Sequence, residues 1–233
     1  MVARLALSRS QKAQLERVIA ALAEDVHAPS AVRGEREIFY RHIADSLVAL
    51  QVPGVQQARQ IADIGSGAGF PGLPIAVALP RARVALVESR SVRCRFVARL
   101  ARQAQIENVS VHCTRVESWE QGLGRCDAVL ARALAPQPVV LEYAAPLLAL
   151  GGVLVDWRGP GSVDTALGER VARMLGLAPR ERLYYRTEAD GPQRYLEAFV
   201  KVAPTPAPFP RRPGMARKRP LGAGTRAEGR AAR

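Results

Sequence analysis

The sequence predicts a doubly wound α/β fold, a mostly parallel sheet carrying an antiparallel edge hairpin and preceded by a small helical extension. Three observations carry that expectation. From Gln60 onward, short apolar runs alternate with longer amphipathic ones. A glycine-rich turn follows the first of those runs, and the turn signal Ala189-Asp190-Gly191-Pro192 separates the last two.

The elements follow in order. Leu15, Val18, Ile19 and Leu22 recur at helical spacing within 8–24, and Ile38, Phe39, Ile43, Leu47 and Leu50 within 35–50, so two helices open the chain. Pro53-Gly54 ends the second. Strands are then expected at 60–64, 83–87, 109–113, 128–131 and 153–157, with helices at 73–79, 92–105, 138–150 and 164–175. Strand alternating with helix means parallel strands joined by right-handed crossovers. Two further strands, 182–186 and 195–202, form the hairpin. Beyond Val202 the prolines exclude regular structure, so an extended, partly disordered tail is expected. The organisation reads as a helical extension (1–55), a main domain (56–203) and a basic tail (204–233).

Composition narrows the class. With 48% hydrophobic and 24% charged residues the chain is too polar for a membrane protein, and no stretch reaches the ~20 apolar residues that span a bilayer. The amphipathic N-terminus lacks the apolar core of a signal peptide, so a cytoplasmic location is expected. Cys94, Cys113 and Cys126 form no CxxC pair and have no His-x₃₋₅-His nearby; they read as reduced packing residues, with no metal site. The net charge is +13, and a disproportionate share lies in the tail, on Arg211, Arg212, Arg217, Lys218, Arg219, Arg226, Arg230 and Arg233 against Glu228. Such a tail suits the phosphates of a nucleic acid, because each neutralised phosphate releases counterions. Its truncation after Val202 is expected to weaken RNA binding and leave cofactor affinity nearly intact.

The glycine turn places the chemistry. Strand 60–64 runs into Gly65-Ser66-Gly67-Ala68-Gly69-Phe70-Pro71-Gly72, at the carboxyl end of a strand, where open α/β sheets bind ligands. Gly67, Gly69 and Gly72 also satisfy the dinucleotide pattern G-x-G-x-x-G, with Glu88 about twenty residues on. Two readings therefore stand, NAD and S-adenosylmethionine. Asp63 favours the second: a carboxylate before the first glycine compensates the cationic methionine end of that cofactor and would repel a pyrophosphate. Its bland alternative is a helix cap. Glu88 can accept ribose hydroxyls in either case, Glu117 can accept the adenine amino group beside an apolar Val116, and Arg132 must face a carboxylate or a phosphate.

These residues belong to a longer pattern. Arg41-His42-Ile43-Ala44-Asp45-Ser46, the run from Ala62 to Pro74, Glu88-Ser89-Arg90, Arg115-Val116-Glu117, Ala131-Arg132-Ala133 and the tail from Thr205 to Gly214 together resemble the RsmG (GidB) family, S-adenosylmethionine-dependent methyltransferases of small-subunit ribosomal RNA. The resemblance implies a class I, Rossmann-like methyltransferase domain and methylation of guanine N7 in 16S RNA, by a monomer without a metal. It implies cofactor contacts from Gly65, Phe70, Glu88, Ser89, Arg90, Val116, Glu117 and Arg132, beside Asp63 and Gly67 of the loop, and a catalytic rim made by His42 and Asp45. Arg41, Arg158 and the tail residues Arg211, Arg212, Arg217, Lys218 and Arg219 are the expected RNA contacts. Phe70 or Trp157 would stack on the target base or else pack in the core. Two departures stand out: His27-Ala28-Pro29-Ser30 where the family has an Asn-Leu-Thr-like segment, and Trp157-Arg158-Gly159 where lysine-glycine is common. The competing functions are an NAD-dependent oxidoreductase and a non-catalytic RNA-binding assembly factor.

Overall fold

A computed structural model of the protein describes residues 7–159 and 165–222 of the 233. Asp164 and the tail residues Arg226, Glu228, Arg230 and Arg233 lie outside them. Helix α1 (Arg9–Glu24) starts on a capping box, in which Ser8 and Gln11 satisfy each other's backbone N–H. The second predicted helix is one continuous run of changing pitch: α2 (Glu35–Ile38), a π-helical stretch (Phe39–Ala44), α3 (Asp45–Leu47) and a 3₁₀ turn (Val48–Gln51). Widened π turns of this kind are often found at functional sites.

The main domain then alternates as expected: β1 (Gln60–Ile64), α4 (Gly72–Ala78), β2 (Arg83–Glu88), α5 (Ser91–Gln103), β3 (Val109–Cys113), β4 (Cys126–Arg132), α6 (Gln137–Ala144), β5 (Leu148–Arg158), α7 (Thr165–Met174), β6 (Leu177–Tyr185) and β7 (Arg194–Lys201). The sheet order is β3-β2-β1-β4-β5-β7-β6. β1 to β5 pair in parallel, and β7 runs antiparallel to both β5 and β6. The order reverses between β1 and β4, which creates the crevice that receives ligands in such sheets.

Two helical layers cover the faces. On one, Leu15, Val18 and Leu22 of α1 share a core with Ile61, Leu86 and Leu100, so the N-terminal helices are part of the domain's packing. On the other, α6 and α7 bury Leu141 and Val171 against Val129 and Leu154. Gln11 and Arg17 stitch α1 to the domain through the carbonyls of Val77 (2.8 Å) and Ala104 (3.2 Å).

Three expectations need correction. Strand β5 begins at Leu148, inside the predicted helix, because its register jumps from Cys126↔Leu148 to Ala128↔Val153 and the residues between bulge outward. Strand β6 begins at Leu177, and Pro179 sits at a register irregularity on this edge strand, where proline is tolerated. The tail, as far as Gly222, is not free: it carries α8 (Met215–Lys218), and its Ala216 is buried. Cys94 and Cys126 are buried as expected, and burial pushes both thiols up to about 12, whereas Cys113 is exposed. Among the described residues no helix is long and apolar enough to cross a membrane, and no cluster of three His, Cys, Asp or Glu could hold a metal.

Candidate active site

The glycine turn is shaped by close approach. Gly65 has φ +71°, and a Cβ there would sit 2.5 Å from Leu134 Cδ1. At Gly72 a Cβ would meet Leu86 at 2.2 Å and Asp63 Oδ2 at 2.8 Å. The loop is pinned to the next strand by Gly65 N–H donating to Val87 O (2.8 Å). Glu88 ends that strand with one carboxylate oxygen accepting from Gly67 N–H (3.1 Å) and the other from Arg90 N–H (2.8 Å). Four lone-pair directions exist on a carboxylate, so acceptor capacity remains for a ligand hydroxyl.

A cavity of about 380 Å³ opens at these strand ends. Gly65, Glu88, Ser89, Arg90, Val116 and Glu117 line it, six of the ten residues expected to bind the cofactor. Thr114, Leu134, Tyr143 and Arg217 also line it; Thr114 belongs to the strand-end run expected around this pocket, and Arg217 is expected from the sequence in a different role, on RNA. Aromatic Tyr143 projects from α6, a helix with no pattern that marks one residue as a pocket wall. Glu117 is already half committed, since one oxygen accepts from Gly214 N–H at 2.8 Å.

Asp63, Gly67, Phe70 and Arg132 are not among the lining residues. Asp63 is buried behind the loop: Oδ2 accepts from Gly72 N–H (2.8 Å), the capping role, while Oδ1 has no partner among the described residues. Burial pushes its carboxyl up to about 7 despite that hydrogen bond. An unsatisfied buried carboxylate oxygen favours a cation nearby.

A second cluster adjoins the cavity, built on Arg132, the residue before the lining residue Ala133. Ala133 itself takes φ +52°, a strained value for a residue with a side chain. Arg132 donates to Asp45 Oδ2 (2.9 Å), to Arg41 O (3.1 Å) and to His42 Nδ1 (3.1 Å). A guanidinium only donates, so Nδ1 is unprotonated and the imidazole proton lies on Nε2, 2.8 Å from Ser30 Oγ. Burial, reinforced by Arg132, lowers the His42 pKa to about 4. The neutral ring stacks on Phe70 with centroids 4.4 Å apart and planes 10° apart. Ser30, from the segment that departs from the family pattern, thus has a defined function as the partner of His42.

Asp45 is wholly buried. Its Oδ1 accepts from Tyr185 Oη (2.7 Å) and Arg194 (3.1 Å), and its carbonyl accepts from Trp157 Nε1 (3.1 Å). The carboxylate is enclosed by donors from three strands, and Trp157 is a core residue. Tyr185 and Arg194, which complete this cluster, carry no sequence signal because their partner is more than a hundred residues away.

The expected RNA contacts divide. Arg41, Arg212, Arg217, Lys218 and Arg219 are exposed. Arg158 instead pairs with buried Asp156 (Nε to Oδ2, 2.7 Å) and donates to Ala135 O. Arg211 grips Glu142 through Nε and Nη2, which donate to its two carboxylate oxygens at 2.7 and 2.5 Å. These two are internal ion pairs, because a buried carboxylate without a partner costs several kcal/mol (about 3–5).

The sequence model described as rRNA small subunit methyltransferase G matches residues 12–175. The chain belongs to that family. The methyltransferase is 38% identical over 201 residues to the ribosomal RNA small subunit methyltransferase G of Carboxydothermus hydrogenoformans, covering 82% of this chain and 83% of the relative. With the enzyme of that name from Deinococcus radiodurans it shares 35% over 196 residues, covering 82% and 78%. Among solved structures it is similar to an O-methyltransferase of Bacillus cereus in complex with SAH (TM-score 0.55, 17% identity, 86% and 95% covered). An S-adenosylmethionine-dependent O-methyltransferase of Thermotoga maritima matches with TM-score 0.54, 17% identity, 70% and 66% covered. The fold is the Rossmann-like class I methyltransferase fold, and the protein is a ribosomal RNA methyltransferase; an NAD-dependent oxidoreductase is set aside.

Proposed function

We propose that this methyltransferase uses S-adenosylmethionine to methylate N7 of a guanine in 16S ribosomal RNA. The observation that carries the cofactor assignment is the cavity at the ends of β1 to β4, where Gly65 permits close approach, Glu88 offers acceptor oxygens and Val116 supplies an apolar wall, with the orphaned Asp63 Oδ1 buried behind the loop. These residues fit the group; when bound, it supplies an electrophilic sulfonium methyl. The protein's own work is then orientation. Guanine N7 bears an in-plane lone pair and loses no proton on methylation, so no general base is needed. His42 agrees with that, since both ring nitrogens are engaged and its pKa lies near 4.

We assign His42 and Asp45 as positioning residues. Asp45 fixes Arg132, Arg132 fixes the His42 tautomer, and His42 fixes the plane of Phe70. The target base must leave its stack to reach the site, which suits an unpaired or flipped nucleotide. Exposed Arg41, Arg212, Lys218 and Arg219 supply phosphate contacts. A monomer acting in the cytoplasm on the small subunit or its RNA accords with this reading. The test is methyl transfer to deproteinised small-subunit RNA and to intact subunits, with the modified position mapped by mass spectrometry. Methylation at guanine N7 supports the proposal; methylation elsewhere, or none on either substrate, refutes it.

A further inference from the structure

The segment after β7 folds back over the cofactor cavity. Val202 N–H donates to Gly176 O at 2.9 Å where β7 finishes, at the sheet end opposite the cavity, and the chain then returns along α6. Arg211 then anchors on Glu142, which lies on α6 directly before the cavity residue Tyr143. Gly214 N–H binds Glu117, α8 buries Ala216, and Arg217 donates to Leu134 O at 2.8 Å. The anchors of Arg211, Gly214 and Arg217 fall on α6, on the turn after β3 and on the loop after β4, the elements that wall the cavity. Arg217 itself lines it, beside Val116 and Glu117.

We propose that Arg211–Arg219 is a wall of the cofactor cavity and that Arg217 contacts the nucleoside part of the cofactor, so that strap docking and cofactor occupancy are linked. This rests on the reading that the cavity holds S-adenosylmethionine. Arg217 donates to Leu134 O and hydrogen-bonds the Tyr143 side chain, which leaves further donors and a planar guanidinium able to stack on or hydrogen-bond to a base. A four-residue helix has little stability of its own. Its placement therefore depends on its anchors and on whatever fills the cavity, and linkage is reciprocal: a ligand that touches the docked strap holds it down, and a docked strap tightens the ligand. On this proposal, removing the tail weakens the cofactor as well as the RNA.

The experiment uses the full chain. Calorimetric affinities of S-adenosylhomocysteine and of 5′-methylthioadenosine, which lacks the amino-acid part, are measured for the wild type and Arg217→Ala. Both ligands should weaken by a similar factor, about tenfold. In parallel, trypsin cleavage after Arg217 and Lys218 in the wild type, mapped by mass spectrometry, should slow when S-adenosylhomocysteine is added; this arm needs no variant. Unchanged affinities in Arg217→Ala, a loss for S-adenosylhomocysteine alone, or cleavage indifferent to ligand would each overturn the proposal. Failure of the wild type to bind either ligand would instead overturn the cofactor reading beneath it.

Discussion

Replacing Asp45 by asparagine separates a positioning role from direct electrostatic catalysis. The carboxylate is fully buried and faces Arg132, Arg194 and Tyr185, whose side chains approach within 2.9, 3.1 and 2.7 Å. Asparagine keeps one acceptor and turns an NH₂ group toward at least one donor, so a repulsive contact replaces an attractive one. Arg132 and Arg194 are 15% and 29% exposed, so neither recovers full hydration. Breaking a buried pair by removing one partner costs about 3–5 kcal/mol; partial exposure of the arginines places the expected loss at about 3. For a chain of this size 1 kcal/mol corresponds to about 2–4 °C, so Tm should fall by roughly 6–12 °C. The assay is urea unfolding of wild type and Asp45→Asn without ligand, followed by turnover at saturating RNA. If Asp45 acts by holding Arg132, stability and turnover fall together, and Arg194→Met reproduces much of the stability loss. A stability change under about 1 kcal/mol, with turnover still lost, would refute the positioning argument and restore a direct role at the cationic product.

The remaining predictions concern protons and charge. His42 has a folded pKa below its unfolded one, so its contribution to stability is complete above about 6.5 and is lost as pH falls toward about 4; His42→Asn should flatten that part of a stability–pH curve, and an unchanged curve would refute the neutral-imidazole assignment. Asp63 has the opposite sense: its folded pKa of about 7 exceeds the unfolded value, so stability declines as pH rises through that range. Asp63→Asn should therefore stabilise the unliganded protein at pH 8 while weakening S-adenosylhomocysteine binding about tenfold or more; tighter binding would count against the carboxylate as partner of the methionine ammonium. Arg158→Ala strands Asp156 in the core and should cost about 3 kcal/mol, with KM for RNA moving less than in Lys218→Ala. A KM change without destabilisation would return Arg158 to the RNA surface.

How far the sequence is legible depends on the range of the forces involved. The alternation of β1 to β5 with their helices is local periodicity, and its order reads correctly, though the boundary between α6 and β5 does not. So does the glycine turn with Glu88, because backbone approach demands glycine and a strand end places the carboxylate. The π-helical stretch at Phe39–Ala44 leaves no periodic trace, yet it sets the orientation of His42 and Asp45. Charge is where sequence reasoning misleads. Arg158 and Arg211 look like free cations in a basic chain, but each answers a buried acid, Asp156 or Glu142, that is unremarkable in sequence. The proline-rich tail likewise reads as extended, because nothing local reveals that Glu117 and Leu134 wait to receive Gly214 and Arg217.

Asp45 also sets an order of events during synthesis. Its partners Tyr185 and Arg194 stand 140 and 149 residues downstream, on the last two strands. A growing chain can complete β1 and the glycine turn early, but until the closing hairpin emerges the Asp45 carboxylate has Arg132 as its one charged partner among these three donors. Chains are made at about 5–20 residues per second, so that interval lasts on the order of ten seconds. The Asp45 cluster is therefore the last part to set, and a nascent or truncated chain lacking the hairpin would carry the glycine turn without the Tyr185 and Arg194 contacts that complete the cluster beside it.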